Sequence, residues 1–232
     1  MRLILLRHGE TDWNAGDRYQ GRTDVELNAV GERQARRAAV GPVGDLLEEA
    51  AELVAVASPL ARARRTAEFL LEARVGAADL ALDEQLMELH GGDWEGLELT
   101  AIAQRWPEEH RSWRAVPALD AGPVGGETLR AAGERALGAL RGRVPQHWAA
   151  GAGAGTAGDP HDDGRQGART LLAVAHGGVI RAAVGLLLRH EGEAFAALER
   201  IDNARAAVLQ GAFATDTGVE GWGDWTLEGY GI

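Results

Sequence analysis

Two residue types are missing from this 232-residue chain, and each absence removes a class of chemistry. Without cysteine there is neither a disulfide framework nor a thiolate nucleophile. Lysine is also absent, all 24 basic residues being arginine, which excludes a Schiff base, a P-loop lysine and a lysine-dependent phosphatase site. Positive charge is scarce overall: the formal net charge of −11 argues against nucleic acid or an anionic membrane surface as a general partner. Any anion site must therefore be a local concentration of arginine and histidine. Long apolar runs are lacking at the amino end, where Leu3 to Leu6 stop at Arg7 and His8. That run is too short for a signal peptide or a membrane span, and the expectation is a cytoplasmic protein.

What is present suits one α/β domain over residues 1–232, with 45% hydrophobic residues to form a core. The stretches "LILL", "ELVAVAS" and "TLLAVA" read as strands buried on both faces, with "LALDEQL" a shorter strand and "ARAAVLQGAF" and "DWTLEGY" edge or later strands. Helical patterns fall over "LNAVGERQARRAAVGPV", "ARARRTAEFLLEAR", Leu99 to Trp113, Glu127 or Thr128 to Trp148, and "VIRAAVGLLLRH". Residues 149–169, "AAGAGAGTAGDPHDDGRQGAR", form a low-complexity segment expected to be a flexible surface loop, with His161 a bystander.

Two of the strongest strands end in His-Gly, at His8-Gly9 and His176-Gly177, and a third runs through Ser58-Pro59 into arginines. Ligands bind outside the carboxyl ends of strands in open α/β sheets. If these strands are neighbours, His8, His176, Arg7 and one of Arg62, Arg64 or Arg65 surround one strongly positive point. Two imidazoles and two guanidiniums suit a dianionic phosphoryl group, with backbone N–H groups around Gly177 at a helix amino terminus adding to them. With cysteine and lysine excluded, neutral histidine is the nucleophile, and His8 is preferred because one ring nitrogen can donate to a carbonyl of its own tight turn. The proton donor should be a carboxyl among apolar groups that raise its pKa; Glu88 fits, beside Leu86, Met87 and Leu89 with Trp94 nearby. His90, His110, His147 and His190 lack metal-ligand spacing, and no metal site is expected. The tryptophans read as core or interface anchors, Trp94 excepted as a possible substrate platform.

The motifs "LRHGETDWN", "YQGRTDVELN", "SPLARARRTA", "MELHGGDWEG", "GGET" and "VAHGGVIR", in that order over nearly the whole chain, resemble the histidine phosphatase superfamily, also called phosphoglycerate mutase-like. The resemblance implies a three-layer α/β/α sandwich around a mostly parallel sheet, working without metal or organic cofactor. It implies that His8 is phosphorylated during turnover, that Arg7, Arg62 and His176 complete the phosphate pocket, and that Glu88 donates the proton. Asn14 matches a phosphate-facing asparagine, and Gln20-Gly21 a loop that borders the substrate. Members often associate, so a homodimer is expected.

Within the family, the short "LELTAIAQRWPEEHRSWRAV" segment and the absent lysine favour a phosphatase over a mutase, leaving Arg105, Arg111 and Arg114 for carboxylate recognition. The loops are similar to those of glucosyl-3-phosphoglycerate, α-ribazole and broad-specificity sugar phosphatases. The expected activity is metal-independent hydrolysis of a small phosphorylated metabolite in two steps. A phosphoglycerate mutase and a silent phospho-ligand-binding relative are the alternatives. Specificity is expected from Gln20, Arg22, His90, Trp94 and the "RSWRAVPALDAGPVGGE" segment. An uncharged His8 beside a charged His176 predicts an acidic to neutral pH optimum.

Overall fold

Successive residues of the central strands point into two different helical layers. Leu3 and Leu5 pack on one side and Ile4 and Leu6 on the other; Leu171 and Ala173 oppose Leu172 and Val174 in the same way. This two-residue alternation makes both faces of the sheet apolar, so each strand reads as a continuous hydrophobic run. The computed structural model describes residues 1–72, 79–114, 118–150, 167–212 and 222–232. Its strands are β1 (Arg2–Arg7), β2 (Glu52–Ala57), β3 (Leu80–Leu82), β4 (Arg169–Ala175), β5 (Ala206–Gly211) and β6 (Trp225–Tyr230), in the order β3-β2-β4-β1-β5-β6. The pairs from β3 to β1 are parallel, whereas β5 runs antiparallel to β1 and β6 antiparallel to β5.

Ten helices occur among the described residues: α1 (Asp12–Ala15), α2 (Ala29–Ala39), α3 (Pro42–Glu48), α4 (Ala61–Glu72), α5 (Leu99–Arg105), α6 (Pro107–Arg114), α7 (Leu129–Arg143), α8 (Gln146–Ala150), α9 (Gly177–Leu187) and α10 (Gly192–Ala197). Leu129, Leu137, Val179 and Val184 of α7 and α9 belong to the core on the Leu3 face. Ala39, Val43, Leu47, Ala63 and Leu70 of α2, α3 and α4 fill the other. The result is the expected three-layer sandwich around a mixed, largely parallel sheet.

Proline accounts for the departures from the expected helices. The pattern from Leu99 to Trp113 is two helices, because Trp106 leaves helical geometry ahead of Pro107. The helix expected to reach Trp148 stops at Arg143, where Val144 turns extended before Pro145 and α8 restarts at Gln146. Pro42 likewise opens α3 as a helix separate from α2. Starts are marked by side-chain caps: Asn28 accepts from the Gly31 N–H and Thr128 from the Ala131 N–H. The expected flexible loop and His161 fall largely or wholly in 151–166, outside the described residues. Among the described residues no helix is long and apolar enough to cross a membrane.

Candidate active site

Because β2, β4 and β1 are consecutive and parallel, their carboxyl ends lie side by side. Each apolar strand ends in polar residues: Ser58 after β2, His176 after β4 and the Arg7-His8 pair at the end of β1. All but the partly buried Arg7 are almost fully shielded from solvent. The His8 and His176 rings are 5.2 Å apart between centroids. Directly after β2, α4 turns Arg62 inward, whereas Arg64 and Arg65 face outward and pair with Glu68. Of the three arginines left open by the strand pattern, Arg62 is therefore the one that joins the histidine cluster.

The turn after β1 holds His8 in one orientation. Its Nδ1 lies 2.6 Å from the Gly9 carbonyl oxygen, a contact that requires a proton on Nδ1 and leaves Nε2 as the lone-pair nitrogen. The Gly9 N–H donates to Thr66 Oγ1 (3.0 Å), and that hydroxyl donates to the Arg62 carbonyl (2.7 Å), tying the turn to α4. On the opposite side, the Asn203 amide donates to the His8 carbonyl (3.0 Å) and the Ala204 N–H reaches the carbonyls of both Arg7 and His8 at 3.1 Å. Ala204 has φ +55°, a left-handed conformation that an L-residue adopts at a cost.

Arg7 donates through Nη1 to the Ile201 carbonyl (2.7 Å), and Arg62 spans the carbonyls of Thr23 (2.8 Å) and Gly21 (2.9 Å). Gly21 has φ +53° and lies against Glu95, so a Cβ there would be strained and within 2.3 Å of the Glu95 Oε1. Among the described residues, Arg7 Nε, Arg62 Nε and His176 Nδ1 are buried with no hydrogen-bond partner. The two guanidinium nitrogens are cationic donors left without a partner, a state that favours an anion beside them. Asn14 belongs to a capping box with Thr11, its Oδ1 accepting from the Thr11 N–H and the Asn203 amide at 3.2 Å each. Gln20 accepts through Oε1 from the Thr11 hydroxyl (3.1 Å). Both residues therefore have engaged oxygens, and their N–H groups remain to face the pocket.

The Glu88 carboxylate does not lie in the apolar cradle expected from its neighbours. It accepts from the backbone N–H groups of Leu89 (3.0 Å), Gly178 (3.2 Å) and Val179 (3.2 Å), the last two in the first turn of α9. Gly178 makes this approach possible, since a Cβ there would sit 2.8 Å from Glu88 Oε1.

Electrostatics keep both imidazoles neutral. Burial first, then the Arg62 and Arg7 charges, press His8 well below the ordinary histidine range. Burial, Arg62 and His8 do the same to His176. The expectation of a charged His176 is thus corrected: with the charges the chain itself supplies it is unprotonated, its Nε2 held 2.8 Å from Ser58 Oγ. Burial pushes Arg62 down to about 10, still cationic at neutral pH.

Arg7, His8, Arg62 and Glu88 line a cavity of about 300 Å³, together with Gly177, Gln20 and Asn14, whereas the fully buried His176 packs against His8 without forming part of the lining. The cavity also takes in Trp113 and Arg114, both within the segment expected to set specificity, and Arg200 and Asn203, which were not singled out in the sequence. Three expected specificity residues do not line it. Trp94 is fully buried, Arg22 binds the Glu88 carbonyl and Glu127, and His90 accepts from the Gly92 N–H. Of the other arginines considered for recognition, Arg105 stacks on Trp106 instead. Among the described residues no group of three or more His, Cys, Asp or Glu is placed to hold a metal ion.

Comparison with known proteins agrees with this geometry. The family model of the histidine phosphatase superfamily (branch 1) matches residues 3–217. Glucosyl-3-phosphoglycerate phosphatase of Mycobacterium tuberculosis is 35% identical over 221 residues, covering 94% of this chain and 89% of its own. The enzyme of the same name from Mycolicibacterium vanbaalenii is 32% identical over 231 residues, covering 98% and 92%. A solved structure of mycobacterial glucosyl-3-phosphoglycerate phosphatase in complex with VO3 superposes with a TM-score of 0.75 at 31% identity, over 98% of this chain and 97% of that one. A strand-end cluster of two histidines and two arginines, on a sheet of this order, accordingly places the chain in the histidine phosphatase superfamily.

Proposed function

We propose that this phosphatase hydrolyses a small phosphomonoester through a phosphohistidine on His8, without a metal ion, and that its substrate is glucosyl-3-phosphoglycerate or a close phosphoglycerate derivative. The observation that carries the mechanism is the neutral His8, tied at Nδ1 to Gly9 O and so committed to attack through Nε2. In the first step the Nε2 lone pair forms the P–N bond while the P–O ester bond breaks and Glu88 protonates the departing oxygen. In the second, water attacks phosphorus, its proton passes to Glu88, and the P–N bond breaks to release inorganic phosphate. Arg7, Arg62 and His176 bind the phosphoryl oxygens, and the Asn14 and Gln20 amides and the backbone at Gly21 and Gly177 border the pocket. The substrate reading is supported by the two mycobacterial relatives. We place the enzyme in the cytoplasm, acting as one catalytic domain over residues 1–232.

Phosphate release from glucosyl-3-phosphoglycerate, 3-phosphoglycerate, α-ribazole phosphate and p-nitrophenyl phosphate, measured in EDTA with wild type and His8→Ala, tests this reading. EDTA-resistant release that vanishes in His8→Ala, with an acid-labile, alkali-stable phosphoenzyme trapped in wild type, is expected. Isomerised phosphoglycerate with little inorganic phosphate would instead identify a mutase, and binding without turnover a silent relative.

A further inference from the structure

The cavity wall carries arginines beyond the pair at the histidines. Arg7, Arg18 and Arg62 are committed to backbone carbonyls, at Ile201, Gly96 and the Gly21 and Thr23 pair. Arg114 and Arg200 also line the cavity, and among the described residues neither forms an ion pair or hydrogen bond. Arg200 sits over the Trp113 ring, its Cζ 4.7 Å from the ring centroid. A cation–π contact of this kind holds the guanidinium at the ring while its N–H groups stay available to a planar, two-pronged partner. Trp113 is itself immobilised, packed edge-on against Tyr19 and Trp94 at centroid distances of 5.4 and 5.5 Å.

The position of Arg200 relative to the phosphoryl centre is fixed by the chain. Its neighbour Ile201 accepts from Arg7, and Asn203 bonds the His8 carbonyl, so the segment carrying Arg200 is anchored to both phosphate-site residues of β1. Desolvation first, then the charges of Arg114 and Arg7, bring Arg200 down to about 10, although the residue retains solvent access at the pocket wall. Glu88 opposes this shift but ranks below Arg114 and Arg7 among its causes, and like charges so gathered are relieved by an anion.

We propose that Arg200, stacked on Trp113 and assisted by Arg114, is a carboxylate subsite that selects substrates bearing a carboxylate close to the phosphoester. The inference rests on the hydrolase reading for the role of the neighbouring phosphoryl site. It identifies the substrate class as phosphorylated hydroxy acids, with neutral sugar phosphates as the disfavoured class. Arg200 makes no contact with the reacting atoms in this scheme and acts on selectivity.

Equilibrium binding of two non-hydrolysable phosphonates tests it: 2-hydroxy-4-phosphonobutyrate, and 3,4-dihydroxybutylphosphonate, in which CH2OH replaces the carboxylate. Calorimetry on wild type should show the carboxylated probe favoured by at least about tenfold, the scale of one charge-assisted pair. Arg200→Met should reduce that ratio to within about twofold, and Arg200→Lys, which keeps charge without the fork, should fall between. A wild-type ratio near unity, or one undiminished in Arg200→Met, overturns the subsite. Selective binding of the carboxylated probe by a protein that releases phosphate from no ester overturns the hydrolase reading and leaves the subsite standing.

Discussion

The guanidinium of Arg135 forms a two-pronged ion pair with Glu127, at 2.7 and 2.9 Å, and also donates to the carbonyls of Met87 (2.7 Å) and Glu88 (3.2 Å). Both side chains are largely buried, and Arg22 adds a second link to Glu127 and to the Glu88 carbonyl. One helix residue of α7 thus sets the height at which the Glu88 loop meets the pocket.

Arg135→Met should therefore lower kcat by about ten- to a hundredfold through misplacement of Glu88. Stability should also fall, by about 1–3 kcal/mol, because Glu127 keeps only its longer contact with Arg22 in a poorly hydrated position. Steady-state kinetics alongside thermal unfolding checks this. A variant that loses stability while kcat stays at the wild-type level would mean that Glu88 is positioned by other contacts.

Gly178→Ala isolates the same geometry from the other side. The added Cβ would meet Glu88 Oε1 and Leu89 Cδ1 at 2.8 Å each, so the carboxylate must move off the α9 amino terminus. The expected outcome is a kcat reduced by more than about tenfold with a small change in Tm. Equal kcat in the two proteins would show that the carboxylate tolerates displacement.

Thr66→Val removes the hydroxyl that links the Gly9 N–H to the Arg62 carbonyl. Valine has nearly the same shape, so the main loss is the buried hydrogen bonding, worth about 1–3 kcal/mol. At this chain length that corresponds to a Tm lower by roughly 2–10 °C, together with reduced kcat/KM as the His8 turn loosens. Differential scanning calorimetry gives the first quantity and initial rates the second.

Acid should unfold the protein early. An unfolded histidine titrates near about 6.5, whereas burial, followed by Arg62 and their other neighbours, holds folded His8 and His176 well below that. As pH falls through this value the unfolded chain takes up protons that the native one refuses, so stability is lost from about pH 6.5 downward. Tm should drop between about pH 7.5 and about pH 5.5, and less steeply in His176→Gln. Over the same range the neutral His8 keeps kcat/KM from falling until below about pH 6.5. Parallel Tm profiles for wild type and His176→Gln would assign the acid sensitivity to other groups.

The layers and the phosphate-facing cluster were legible because buried parallel strands write themselves as apolar runs and their ends as abrupt polar breaks. Arg7, His8 and His176 stand at such breaks, and their meeting was conditional on the strands being neighbours, which the order β2-β4-β1 satisfies. Arg62 was ambiguous until the helix after β2 showed which of three arginines faces inward. Helix extents failed where a proline divided a continuous amphipathic pattern, at Pro107 and Pro145. Arg200 and Asn203 left no signal, since both sit in a turn with no periodicity and reach the site through backbone contacts of Arg7 and His8. Trp94 was misplaced for a related reason: proximity to Glu88 in sequence suggested contact with substrate, but the ring is sealed in an aromatic cluster while Trp113 takes the pocket wall.

The reversal of strand direction at β5 has an architectural consequence. Since β5 runs against β1, it is the entry to β5 that reaches the phosphate edge, so the residues preceding it close a side of the cavity that parallel strand ends leave open. Chemistry and recognition thereby occupy separate stretches of polypeptide. The segment ahead of Asn203 can exchange its side chains, and with them the clientele of the enzyme, while Asn203 and the reactive edge it braces keep their residues unchanged.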